Sequence, residues 1–195
     1  MRREESRKKK VNECVEKKDF SELKNVVVLK APEDSGKTTI LKMVIELLYD
    51  RFPGSWRGRG GTRRQSFDRK RVVNYSLSNH LSAEYSGVFS INGVIVVVAT
   101  AGDFTQYVVG NFSLFAKARA VIGVTAIQQG NIAEVVYEEI KAKLDFEEVV
   151  VSLSKRYVGS ECTDEERKVA VKIVSTIVDI LKCYSGVTPR CREGE

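Results

Sequence analysis

The feature that most constrains this chain is a β-branched run followed by a short polar loop and a helical pattern. Residues 25–30 (NVVVLK) have the composition of a buried strand. Residues 37–50 place apolar side chains at helical spacing. Between them, residues 31–38 read APEDSGKT. A strand, a loop and a helix in this order predict one unit of an α/β sheet, with the loop at the carboxyl end of its strand.

The loop has the chemistry of a phosphate-binding site. Its backbone N–H groups lie at a helix N-terminus, where the helix dipole also attracts an anion. Gly36 lets the backbone turn and approach a ligand closely. Lys37 supplies a compact charge for the β- and γ-phosphates, and Thr38 supplies a hydroxyl ligand for Mg²⁺. The predicted nucleotide-binding residues of this loop are Asp34, Ser35, Gly36, Lys37, Thr38 and Thr39.

The loop resembles the GxxxxGK(S/T) pattern of P-loop NTPases, with Ala31 in place of the first glycine. The resemblance covers about residues 25–154 at superfamily level, and it implies a nucleoside triphosphate ligand with Mg²⁺. The cost of Ala31 is small if its backbone is extended, and about 1–2 kcal/mol if it is left-handed. Glu33 and Asp34 would repel a polyphosphate unless their carboxylates point outward.

A second candidate phosphate contact follows a predicted hairpin. Residues 85–91 and 94–100 flank Asn-Gly, the turn pair typical of β-hairpins, and the second strand leads into TAGD at residues 100–103. In one interpretation Asp103 is a displaced Walker B acid that holds Mg²⁺ through water. In another, the segment resembles the DTAGQ segment of Ras-like GTPases, which implies that the Gly102 N–H contacts the γ-phosphate. A third is that Gly102 and Asp103 form a turn and cap the next helix.

These alternatives assign the chemistry to few residues. Lys37 and Asp103 are the predicted catalytic residues, Thr38 and Asp103 the predicted metal ligands, and Gly102 an additional nucleotide contact. The guanine-reading NKxD segment of GTPases has no counterpart in residues 149–157 (VVVSLSKRY), because no acid follows the lysine closely. We therefore expect ATP rather than GTP.

The remaining patterns predict the fold and the division of the chain. Further strands are expected at residues 120–125 and 148–152, with helices at 104–118 and 132–143 and from 163 onward. Asn131 with Glu134, and Thr163 with Glu166, have the spacing of a capping box at the starts of the last two helices. The prediction is a three-layer α/β P-loop NTPase fold, with a mostly parallel sheet and one antiparallel edge strand. Residues 1–24 form a charged helical extension with a loosely docked helix over 2–20, 25–185 the nucleotide-binding domain, and 186–195 a disordered tail.

Composition bears on partners and location. The longest apolar run, residues 94–99, is far shorter than the about 20 residues that cross a bilayer, so we expect a soluble, cytoplasmic protein without membrane insertion. Four scattered cysteines without a CxxC pair, and the single His80, predict neither zinc nor a disulfide framework. The net charge of +6 is concentrated in residues 2–10 and 57–71, which makes nucleic acid a candidate partner. A solvated, flexible segment is the alternative for both runs.

Three functions fit these features. The first is Mg²⁺-dependent binding of a nucleoside triphosphate with slow hydrolysis, because no convincing catalytic base is present. The second is a small-molecule or nucleotide kinase in which residues 57–71 hold the acceptor. The third is a non-enzymatic regulatory module that binds a partner or nucleic acid according to the bound nucleotide. The oligomeric state is left open by the sequence.

Overall fold

The structure, a computed structural model, describes residues 2–53, 86–153 and 164–184. The predicted basic loop at 57–71, His80 and the predicted tail at 186–195 lie outside the described residues. The helices and strands are α1 (Arg2–Glu16), β1 (Asn25–Ala31), α2 (Lys37–Arg51), β2 (Ser86–Ile91), β3 (Val94–Ala99), α3 (Thr105–Ala118), β4 (Ile122–Gln128), α4 (Ile132–Lys141), β5 (Glu147–Ser152) and α5 (Asp164–Tyr184).

The five strands form one sheet in the order β2-β3-β4-β1-β5. β1 pairs in parallel with β4 and β5, and β3 pairs in parallel with β4. β2 pairs antiparallel with β3 through the predicted hairpin, in which Asn92 and Gly93 take φ values of 51° and 84°. The predicted α/β class, with a mostly parallel sheet and one antiparallel edge strand, is thus confirmed.

Helices cover both faces of the sheet. α2 and α5 pack on one face, and α1, α3 and α4 pack on the other. Successive residues of β1 contribute to opposite cores, Val27 and Leu29 to the first and Val26 and Val28 to the second. Burial on both faces explains why this strand is a continuous apolar run and not an alternating one.

The helix at the start of the chain is part of the second core. α1 ends at Glu16, before the predicted end at Phe20. Val11 and Cys14 are buried, and Arg7 pairs with Glu139 of α4 at 2.7 Å. Of the described helices, none is long and apolar enough to cross a membrane.

The topology predicts a crevice at the carboxyl edge of the sheet. β1 continues through α2 on one face towards β2 and β3, whereas its neighbour β4 continues through α4 on the other face towards β5. Chains that leave adjacent strands in opposite directions leave a gap between the two carboxyl ends, which is where open α/β sheets bind ligands. The loop at residues 31–38 borders this gap.

Candidate phosphate-binding site

The loop begins from an extended residue. Ala31 is the last residue of β1, pairs with Gln128 of β4 and is fully buried. It therefore belongs to the strand, although the sequence placed it in the loop. Because the backbone is extended there, alanine in place of the first glycine of the pattern costs little. The larger cost that a left-handed backbone would impose on alanine does not apply.

Two loop residues take left-handed backbone conformations. Asp34 has φ of 53° and Gly36 has φ of 79°. Aspartate is among the few residues that tolerate this region, and glycine enters it freely. Gly36 is the N-cap of α2 and supplies no side-chain acceptor, so the first N–H groups of the helix are not capped by it. The carboxylates of Glu33 and Asp34 are exposed, which removes the main electrostatic objection to a phosphate ligand.

Lys37 and Asp103 meet beneath the loop. Lys37 is only 5% exposed, and its Nζ donates to Pro32 O at 2.8 Å. The same Nζ lies 3.2 Å from Asp103 Oδ1. Asp103 Oδ1 is buried, and apart from this ion pair it accepts no hydrogen bond among the described residues. The structure therefore brings together the two predicted catalytic residues, although β4 lies between the strands that precede them.

The backbone of Asp103 is fixed by the start of α4. Asn131 Nδ2 donates to Asp103 O at 2.9 Å, while Asn131 Oδ1 accepts from Ala133 N at 2.7 Å and caps α4. Glu134, the expected partner in a capping box, accepts from Gly130 N at 2.9 Å. The predicted cap at Asn131 is present, and it has the additional effect of holding the carbonyl of Asp103.

Gly102 is required by a close approach to β4. A Cβ added at this position would overlap the carbonyl carbon and oxygen of Ala126 and lie 3.0 Å from Ile127 N. The Gly102 carbonyl also accepts from Gln128 N at 3.0 Å. A packing reason for glycine therefore exists independently of any γ-phosphate contact.

A buried amide that the sequence did not single out supports the same segment. Asn111 of α3 is fully buried, and its Nδ2 donates to Ala101 O at 2.6 Å and to Thr125 Oγ1 at 2.8 Å. It therefore ties the chain after β3 to the middle of β4. The only sequence signal was a polar residue on the otherwise apolar inner face of α3.

The other predicted loop residues differ in exposure. Ser35 is fully buried, and its Oγ forms no hydrogen bond among the described residues. Thr38 is half-buried next to Lys37, whereas Thr39 is exposed on α2. Thr38 follows Lys37 directly in the chain, and Thr39 faces solvent.

Glu166 is a further residue at the loop. The sequence pattern assigned it to a helix cap with Thr163, which lies outside the described residues. In the structure Glu166 is 5% exposed, and its carboxylate lies against the Cα of Gly36. Within the described ranges, Lys37 and Glu166 are the two charged residues that are buried, and both contact this loop.

A separate polar cluster contacts β1 beside the loop. Lys30 pairs with Glu138 at 2.8 Å, and Tyr137 donates to Glu148 Oε1 at 2.6 Å. Burial alone would raise the pKa of Glu148, but hydrogen bonds from Lys141 and Tyr137 outweigh it and hold the pKa below its ordinary value. Burial and the neighbouring Glu148 raise the pKa of Tyr137. These groups are mutually paired, which is typical of a structural cluster.

Comparison with protein-family models, with curated proteins and with solved structures finds no match for this chain. The chemistry of the site is therefore inferred from its own residues. Across residues 2–53, 86–153 and 164–184, no three His, Cys, Asp or Glu side chains are grouped closely enough to hold a metal ion. Mg²⁺ does not require such a group, because it commonly binds one or two carboxylates together with phosphate oxygens and water. The Thr38 hydroxyl and the Asp103 carboxylate fit that mode.

Proposed function

We propose that this chain binds a nucleoside triphosphate, ATP rather than GTP, together with Mg²⁺ at the loop of residues 31–38. The observation that carries the proposal is the buried amino group of Lys37, held between Pro32 O at 2.8 Å and Asp103 Oδ1 at 3.2 Å. Lysine is almost never fully buried unless it is paired. Here it is buried at a helix N-terminus beside a crevice, a combination suited to a polyphosphate.

In this proposal each residue of the site has a separate role. The N–H groups at the start of α2 bind phosphate oxygens, and Lys37 exchanges the Pro32 carbonyl for the β- and γ-phosphates. Thr38 and Asp103 would hold Mg²⁺, which would neutralise phosphate charge. Asn131 and Asn111 fix the segment that carries Asp103.

Hydrolysis is expected to be slow. In this proposal Asp103 pairs with Lys37 and takes part in holding Mg²⁺, and no further residue of the site is assigned as a catalytic base. The preference for ATP rests on residues 149–157, which lack the acid that would read guanine. The structure describes part of that segment, up to residue 153.

The test is calorimetric titration of ATP and of GTP, each with Mg²⁺, into the wild type and Lys37→Ala. We expect the wild type to bind and the variant to bind at least tenfold more weakly, which corresponds to about 1.4 kcal/mol. Lys172→Ala is the matched control, because this lysine is exposed on α5 and should leave affinity unchanged. Absence of binding by a folded wild type would overturn the proposal and leave the loop as a structural turn.

A further inference from the structure

The first turn of α5 places the carboxylate of Glu166 against the loop of residues 31–38. A Cβ added at Gly36 would overlap Glu166 Oε1 and lie 3.3 Å from Glu166 Cδ, so the carboxylate rests directly on the loop backbone. Gly36 is the N-cap of α2, the end at which the helix dipole favours negative charge. The carboxylate of Glu166 is therefore held at the end of α2 where a phosphate is proposed to bind.

The position of Glu166 along its helix is unexpected for an acidic residue. Its neighbours Asp164 and Glu165 share the first turn and are exposed, as acidic residues at a helix N-terminus usually are. Glu166 is instead in register with the buried stripe of α5, which continues through Ala170, Ile173, Ile177 and Leu181. An apolar side chain is the usual occupant of such a position. Burying a charge there costs desolvation free energy even where partners compensate it, which marks Glu166 as a candidate functional residue.

A phosphate and this carboxylate compete for the same surroundings. Both are anions that the N-terminal end of α2 stabilises, and the Glu166 carboxylate is 5% exposed and lies against Gly36. Repulsion between like charges is stronger where water is excluded. The carboxylate therefore has to withdraw from Gly36 before the loop can hold a polyphosphate closely.

We propose that Glu166 is an autoinhibitory residue of the phosphate site, whose carboxylate a polyphosphate must displace from Gly36 on binding. This inference rests on the proposed function, because it concerns the same loop. The wild-type affinity for a polyphosphate is then lower than the affinity that the loop would have without the Glu166 carboxylate. Autoinhibition by Glu166 also couples occupation of the loop to a displacement at the first turn of α5.

The test compares Glu166→Gln with Glu165→Gln and the wild type. Both substitutions remove one negative charge from the first turn of α5, but only Glu166 lies against Gly36. Inorganic tripolyphosphate and ATP, each with Mg²⁺, are titrated into all three. We expect Glu166→Gln to bind both ligands roughly tenfold more tightly, and Glu165→Gln to stay within about twofold of the wild type. Tripolyphosphate has no base or ribose, so equal tightening for both ligands shows an effect on the phosphates.

The outcomes separate the two proposals. If the wild type binds and Glu166→Gln binds equally or more weakly, autoinhibition is overturned while nucleotide binding stands. Binding by Glu166→Gln alone supports both. If no variant binds either ligand, the phosphate site itself is refuted and the inference fails with it. Should Glu166→Gln not fold, Glu166→Asp decides, because its shorter side chain keeps the charge but draws it back from Gly36. An affinity between those expected for wild type and Glu166→Gln supports autoinhibition, and wild-type affinity overturns it.

Discussion

Replacement of Gly102 by alanine should destabilise the fold through a backbone overlap. The added Cβ would meet the Ala126 carbonyl, which belongs to a strand that is paired on both sides and cannot move aside as a side chain can. Overpacking of this kind costs about 1–3 kcal/mol. Displacement of Gly102 would also weaken its 3.0 Å hydrogen bond with Gln128 N, worth about 1 kcal/mol. Alanine recovers roughly 0.4–1 kcal/mol by restricting the unfolded chain, so we expect a net loss of about 1–3.5 kcal/mol.

Urea denaturation followed by circular dichroism measures this loss, with Gly110→Ala as the control. Gly110 lies within α3, and an added Cβ there meets nothing within 4 Å. Alanine at Gly110 should raise the free energy of unfolding by about 0.5–1 kcal/mol, so the two variants are expected to move in opposite directions. A Gly102→Ala protein within about 0.5 kcal/mol of the wild type would refute the packing explanation.

Two further predictions concern polar side chains that are hydrogen-bonded in the structure. Asn111→Ala leaves the Ala101 carbonyl and the Thr125 hydroxyl without their amide donor, so we expect urea denaturation to show a loss of about 2–4 kcal/mol. A loss below about 1 kcal/mol would contradict the bridging role. The second concerns acid stability: because the pKa of Glu148 is lowered by folding, its contribution is present above its ordinary pKa and is lost as pH falls through the lower folded value. Glu148→Gln should flatten the acid side of the stability curve measured by denaturation at several pH values, and an unchanged acid side would contradict the pairing with Lys141.

The local parts of the fold could be predicted from sequence because each depends on neighbours along the chain. The run at residues 25–30, the Asn-Gly turn and the apolar spacing of α2 specify a strand, a hairpin and a helix without long-range information. The sequence predicts that Lys37 and Asp103 lie at the same edge of the sheet, because both follow strands of a parallel sheet. It does not predict their direct contact. The insertion of β4 between β1 and β3 was not predicted, since strand order depends on how the helices pack.

Glu166 and Asn111 could not be assigned from sequence for a different reason. Each is a polar residue in a helical pattern, where capping or exposure is the usual explanation. Their roles depend on which face of the helix turns inward and on what lies opposite. For Glu166 that is the Gly36 backbone, and for Asn111 it is the Ala101 carbonyl and the hydroxyl of β4. Rotation of either helix by half a turn would place the same side chain in water.

The two buried charged residues of the described part of the chain, Lys37 and Glu166, favour the proposed ligand site over a structural turn. A chain that needed only to pass from β1 to α2 would require neither a buried lysine nor a buried glutamate, and apolar side chains of similar volume in such positions are often equally or more stabilising. Lys37 is specified by the loop pattern itself, whereas Glu166 comes from a helix whose other inward residues are apolar. Two elements distant in sequence thus place opposite buried charges on one loop. Opposite effects of neutralising them on phosphate affinity, weaker without Lys37 and tighter without Glu166, would follow from a binding function and not from packing.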